Sequence, residues 1–168
     1  LIAAGSVPAV PPISGADLPG VVTSDAMLEA QGVDCDNLLI IGGGVIGVEM
    51  ASIYASLGKQ VTIVEAAERI LPPLDREISQ NLSMILKKRG VEIYTSALVS
   101  AISQTENGLA CQFTDKKGEQ TKEADVVLMS VGRRPCTAGL FAEGFTVDLT
   151  ERGFIAVDDK FATSVPNI

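Results

Sequence analysis

The stretch LLIIGGGVIGVEMASIYASLGKQVTIVEA, Leu38 to Ala66, decides the fold. The aliphatic run from Asn37 to Ile41 reads as a buried strand, and Gly42 to Gly44 supply a flexible turn directly after it. From Val45 to Leu57 the apolar positions Val45, Val48, Ile53 and Leu57, with Met50 and Tyr54 beside them, predict a helix with one broad packed face, closed by Gly58. Gln60 to Val64 cluster β-branched residues and predict the next strand, with Glu65 at its polar end. The order strand, turn, helix, strand predicts a parallel pair joined by a right-handed crossover.

Gly42, Gly44 and Gly47 stand in the spacing GxGxxG between that strand and that helix. Gly42 suits a tight turn, Gly44 lets backbone approach a diphosphate without a Cβ in the way, and Gly47 lets helix and sheet pack closely. First-turn N–H groups and the helix dipole then favour phosphate charge. Glu65 follows Gly42 by about 20 residues, the distance at which a carboxylate can accept both hydroxyls of an adenosine ribose. The same charge repels a 2′-phosphate, so the expected nucleotide is NAD and not NADP; neither Ala66 nor Ala67 is cationic, and Arg69 is the nearest positive side chain. Glu49 lies early in the helix, where a carboxylate beside phosphates is unfavourable. It is expected to be solvated, or to face the nicotinamide end or a neighbouring domain.

Outward from this unit the chain is punctuated by glycine and proline. Residues 1 to 20 read as a short strand end at Leu1–Ala4 and a crossing segment, and Thr23-Ser24-Asp25 precedes a possible short helix, AMLEAQG, ended by Gly32. Asp75 is a candidate N-cap for a helix carrying Ile78, Leu82, Ile85 and Leu86, with Lys87, Lys88 and Arg89 at its negative end and Gly90 as its stop. A strand over Val91–Tyr94 follows. The runs Leu98–Ser103, Leu109–Thr114 and Glu119–Lys122, separated by Asn107-Gly108 and Lys117-Gly118, predict a small antiparallel meander. Asp125 to Ser130 returns as an aliphatic strand leading into VGRRP. The expected fold is α/β: a three-layer domain with a central parallel sheet and a small antiparallel β-meander.

With 168 residues and a formal charge of −8, the chain has the size of one domain and lacks the positive field that nucleic acid needs. Cys35, Cys111 and Cys136 are odd in number and far apart, which argues against a disulfide scaffold and for reduced thiols in a cytoplasmic setting. Each is expected to be a small packing residue. No segment has the apolar length of a membrane span. There is no histidine, and no metal-ligand set is expected.

The order GGGVIGVE, VTIVEAAERILPPLD, VGRRP resembles the pyridine-nucleotide-disulfide oxidoreductases, and among them the dihydrolipoamide dehydrogenases. That resemblance implies a Rossmann-like NAD-binding domain inserted within an FAD-binding domain. Residues 1–20 would be a fringe of the FAD-binding domain, 21–153 the NAD-binding domain and 154–168 the return segment. It also implies that Gly42, Gly43, Gly44 and Gly47 form the diphosphate loop, that Glu65 binds ribose, that Glu49 lies near nicotinamide and flavin, and that Gly132 lies beside the cofactor. Arg133 and Arg134 are read either as phosphate contacts or as a solvated structural turn. The family's flavin glycine motif, CxxxxC dithiol and C-terminal dimerisation domain are absent, so no catalytic residue is assigned. The parent would be a homodimer carrying FAD, passing electrons from a lipoyl-bearing protein through a dithiol and FAD to NAD. The alternatives are an NAD(P)H-dependent flavoprotein reductase or oxidase of the same superfamily, or a non-catalytic nucleotide-binding module.

Overall fold

The structure, a computed structural model, describes residues 1–29 and 32–168. In chain order its elements are β1 (Ser6–Pro8), β2 (Val21–Thr23), α1 (Ser24–Met27), β3 (Asn37–Ile41), α2 (Val45–Ser56), β4 (Gln60–Glu65), α3 (Arg76–Lys88), β5 (Glu92–Thr95), β6 (Leu98–Thr105), β7 (Gly108–Asp115), β8 (Gly118–Ala124), β9 (Val126–Met129) and β10 (Arg133–Pro135). They fall into two compact units, Val10–Gly132 and a second made of Leu1–Ala9 with Arg133–Ile168. The expected domain limits at residues 20 and 153 concern membership of a larger protein and return below as a proposal.

In Val10–Gly132 five parallel strands form one sheet in the order β2-β9-β3-β4-β5. The α/β fold of the sequence reading is present, with a Rossmann-like parallel sheet and a separate antiparallel sheet β6-β7-β8. Alternation along β3 explains the layering. Leu38 and Ile40 point into a core shared with Val48, Ala51, Tyr54 and Leu86 of the helices, whereas Leu39 and Ile41 meet Val99, Ile102, Cys111 and Phe113 of the meander. A strand buried on both faces must be apolar throughout, and β3 is, after Asn37. Residues of the crossing segment, Ile13, Ala16 and Leu18, join the meander-side core.

Several expectations change in detail. The first strand is Ser6–Pro8 and not Leu1–Ala4, and it pairs antiparallel with β10 inside the smaller unit. The first helix begins at Ser24 and ends at Met27; Ala30 and Gln31 of the expected AMLEAQG helix lie outside the described residues. The packed face of α2 is not the expected one. Val48, Met50 and Tyr54 are buried together with Gly47 and Ala51, but Val45, Ile53 and Leu57 face outward. The helix is apolar nearly all round, so hydrophobicity alone cannot choose its face. Close approach at Gly47 does, by turning the small side chains toward the sheet. In α3, Leu86 is buried and Leu82 partly so, but Ile78 and Ile85 are exposed, and Ser79 takes the inner position by donating to the Leu71 and Asp75 carbonyls. Asp75 caps this helix as expected, accepting from the Glu77 N–H at 2.8 Å.

In the smaller unit Arg133 is spent on β1, donating to Ser6 Oγ at 2.7 Å and to the Ser6 carbonyl at 2.6 Å. Its role there is structural; Arg134 beside it is exposed. Of the thiols, Cys35 and Cys111 are buried and Cys136 is half-buried, and all are free. Burial pushes the Cys111 thiol up to about 12. Among the described residues no helix is long and apolar enough to cross a membrane.

Candidate functional site

The strand order fixes where a ligand can enter. After β3 the chain moves to β4 and β5 on one side, while β9 comes back on the other, so the carboxyl end of β3 is a topological switch point. Three chain segments meet there: the glycine turn after β3, Glu65 at the end of β4, and Ser130-Val131-Gly132 after β9. They line a cleft of about 650 Å³, within the range of small-molecule sites, whose remaining wall includes Ile13, Val64, Pro72, Ala97, Leu98 and Val99.

The glycines differ in what holds them. Gly42 has φ +106°, and a Cβ there would lie 2.6 Å from the Ser130 carbonyl oxygen. At Gly47 a Cβ would fall 2.1 Å from the Gly42 carbonyl oxygen, a distance that no side chain survives. Both are glycine because the fold demands it. Gly43 is tightly enclosed as well, its missing Cβ 2.9 Å from Ile70 Cγ2. Gly44 is not. Its φ is −73°, no atom comes within 4 Å of where its Cβ would be, and it faces the cleft.

Gly44 is also the N-cap of α2, and having no side chain it leaves the first-turn N–H groups without a side-chain cap. The Asp75 cap on α3 shows the contrast. Glu65 is directed at the same corner. Its Oε2 accepts the Gly43 N–H at 2.5 Å and its Oε1 the Ala67 N–H at 2.7 Å. A carboxylate has about four acceptor positions, so lone pairs remain for hydroxyl donors. Arg69 donates from one terminal nitrogen, Nη2, to the carbonyls of Pro72 at 2.9 Å and Leu74 at 3.4 Å, which ties that end of its guanidinium to the loop.

The structure therefore brings Gly42, Gly44, Glu65 and Gly132 to one cleft, with Gly43 and Gly47 supporting it. Glu49 is exposed on α2 and takes no part in the cleft wall. The sequence reading missed Ser130 and the apolar wall. Ser130 left a weak signal, a hydroxyl closing an otherwise aliphatic strand; the wall left none, because Ala97 to Val99 look like any strand start. A second hollow, about 590 Å³ along α3, is lined by Glu68, Arg76, Glu77 and Lys87 among others and has no glycine turn.

Residues 1–168, the whole chain, match the family described as pyridine nucleotide-disulphide oxidoreductase. The chain belongs to that family. Dihydrolipoamide dehydrogenase of Chaetomium thermophilum is 40% identical over 173 residues, covering 100% of this chain and 34% of the relative. The HOCl-induced flavoprotein disulfide reductase RclA from Escherichia coli, solved as a Cu(II) complex, superposes with a TM-score of 0.81 at 39% identity, over 97% of this chain and 37% of that one. The water-forming NADH oxidase from Lactobacillus brevis, solved with NADH, gives 0.79 at 28% identity, over 95% and 35%. The pyridine nucleotide-disulphide oxidoreductase fold is thus present here in a chain spanning about a third of the length of these relatives.

Proposed function

We propose that this chain is the NAD(H)-binding domain of an FAD-dependent flavoprotein reductase or oxidase of its family. The observation that carries the reading is Gly44. Neither backbone conformation nor crowding requires glycine there, whereas a diphosphate drawn onto the uncapped start of α2 does. Gly42 and Gly47 shape the turn, Glu65 keeps acceptors for ribose hydroxyls, and the apolar wall at Ala97–Val99 suits the flat face of a base.

Once bound, the nicotinamide supplies hydride exchange with a flavin held elsewhere in the parent. The chain's own contribution is position and electrostatics. Gly132 offers backbone at the cleft rim, and exposed Glu49 is assigned to the nicotinamide end or to a neighbouring domain. The terminal stretches 1–20 and 154–168 are assigned to the FAD-binding domain that would flank residues 21–153. A dihydrolipoyl donor and a homodimeric parent form a narrower reading. A dihydrolipoamide dehydrogenase and the RclA oxidoreductase are each 40% identical to this chain, so the broader assignment is the conclusion.

Glu65 favours NADH over NADPH by repelling a 2′-phosphate, and Arg69 is already engaged by two carbonyls. Calorimetry with NADH and NADPH on the wild type and on Glu65→Ala tests this. The wild type is expected to prefer NADH, and the variant to lose about 1 to 3 kcal/mol of NADH binding, the scale of hydrogen bonds to a charged group. Equal affinity of the wild type for both nucleotides defeats the assignment.

A further inference from the structure

We infer that Ser130 is a positioning residue for the diphosphate turn, a role that rests on the nucleotide-binding reading above. The peptide unit between Gly42 and Gly43 is held at both ends by side chains from the strands flanking β3. On the β4 side its N–H is taken by Glu65 Oε2 at 2.5 Å. On the β9 side its carbonyl accepts the Ser130 hydroxyl at 2.9 Å, and that hydroxyl also lies 3.1 Å from the Ile41 carbonyl. One hydroxyl proton serves both oxygens, while the Ser130 N–H bonds the Ile41 carbonyl at 2.9 Å.

A peptide plane is rigid, so fixing its carbonyl and its N–H fixes the orientation of the turn. The following plane is set in turn, because the Gly43 carbonyl accepts the Leu71 N–H at 2.7 Å. In a trans peptide N–H and C=O point in opposite directions, so the Gly44 N–H points away from Leu71. Ser130 also sits where helix and strand come closest: its Oγ lies 2.7 Å from where a Gly47 Cβ would be. Loss of the hydroxyl frees the Gly42 carbonyl to rotate and leaves Glu65 as the remaining side-chain clamp on that plane. Glu65 is also the residue assigned to ribose. Ser130 therefore keeps the turn in place while Glu65 is engaged with ligand.

The test combines NADH titration with backbone amide NMR on the 168-residue chain carrying Ser130→Ala, or Ser130→Cys if the alanine variant does not fold. The cysteine keeps the side-chain shape with a somewhat larger sulfur and removes the strong donor. Displaced amide signals of Gly43, Gly44 and Val45, with a thermal midpoint near that of the wild type and an NADH Kd raised roughly three- to tenfold, are expected. Ser130→Thr, which restores the hydroxyl, is expected to bring the glycine signals back toward their wild-type positions. Unmoved glycine signals with an unchanged Kd overturn the inference, and so does a lowered thermal midpoint as the sole effect. If the wild type binds no NADH, the nucleotide reading falls, and the glycine signals of the free protein still decide whether Ser130 sets the turn.

Discussion

At the scale of single residues, the three motif glycines separate into two kinds. Gly42 and Gly47 are required by geometry inside the protein, and any side chain there collides with backbone. Gly44 has open space around it but caps α2, where alanine is a poorer residue than glycine, so Gly44→Ala is expected to lower the thermal midpoint by only a few degrees, on the order of 1 kcal/mol. The added methyl intrudes where the diphosphate would lie, and an overpacking cost of about 1 to 3 kcal/mol raises the Kd for NADH roughly five- to 150-fold. Differential scanning fluorimetry and titration on the same sample check this, and unaltered affinity would remove the main support for the nucleotide reading. The spacing of Gly42, Gly44, Gly47 and Glu65 was legible in the sequence because each serves a backbone or charge requirement tied to fixed positions. Ser130 was not, since its partners, the carbonyls of Ile41 and Gly42, are nearly ninety residues away in the chain. Glu49 carried a clear family pattern, and its side chain is exposed and outside the cleft wall, as a residue that is solvated or faces a neighbouring domain would be.

At the scale of elements, strands were easier to read than helix faces. β3 begins and ends where its aliphatic run does, because a strand covered on both sides has no polar position to blur its limits. The face of α2 was illegible for the opposite reason: Val45, Ile53 and Leu57 are as apolar as the residues it buries. Asp125, just before β9, ties that strand to β3 by accepting the N–H groups of Asp36 at 2.9 Å and Asn37 at 2.8 Å. Those bonds, that from the Asn37 N–H first, hold its carboxyl below the ordinary value of 3.8. A carboxyl with a depressed folded pKa adds stability that is present above the ordinary value and is lost as pH falls through the folded one. Asp125→Asn is therefore expected to cost about 1 kcal/mol at neutral pH, a figure kept small by partial solvent exposure. The gap between variant and wild type should close as pH is lowered from about 5 to about 2. Urea denaturation across that range measures it; a gap that does not vary with pH rules out the ionised bond as its source. The meander is fastened to β5 in a similar way, by Lys122 on Glu92 at 2.7 Å and by Tyr94 edge-on to Phe113 with ring centroids 5.0 Å apart.

At the scale of the whole molecule, the α/β class was legible because strand and helix periods alternate along the chain, and the meander announced itself through two glycine turns. The strand order was not, because nothing in Asp125–Ser130 says that it inserts between β2 and β3. The chain is expected to bind NADH without turning over lipoamide, since it carries no CxxxxC dithiol and covers about a third of its relatives' length. Robust NADH-dependent lipoamide reduction by the purified chain alone would contradict this. The insertion of β9 has one more consequence, for how the protein is made. As the polypeptide emerges from the ribosome, β2 and β3 have no partner between them until the sequence near residue 126 is released, so the middle of the sheet stays open while its far side can already close. Such long-range pairing is slow, and the central gap is a sticky edge for as long as it lasts. The corner proposed to hold the nucleotide is thus completed only once β9 is released, although half of its residues are synthesised early.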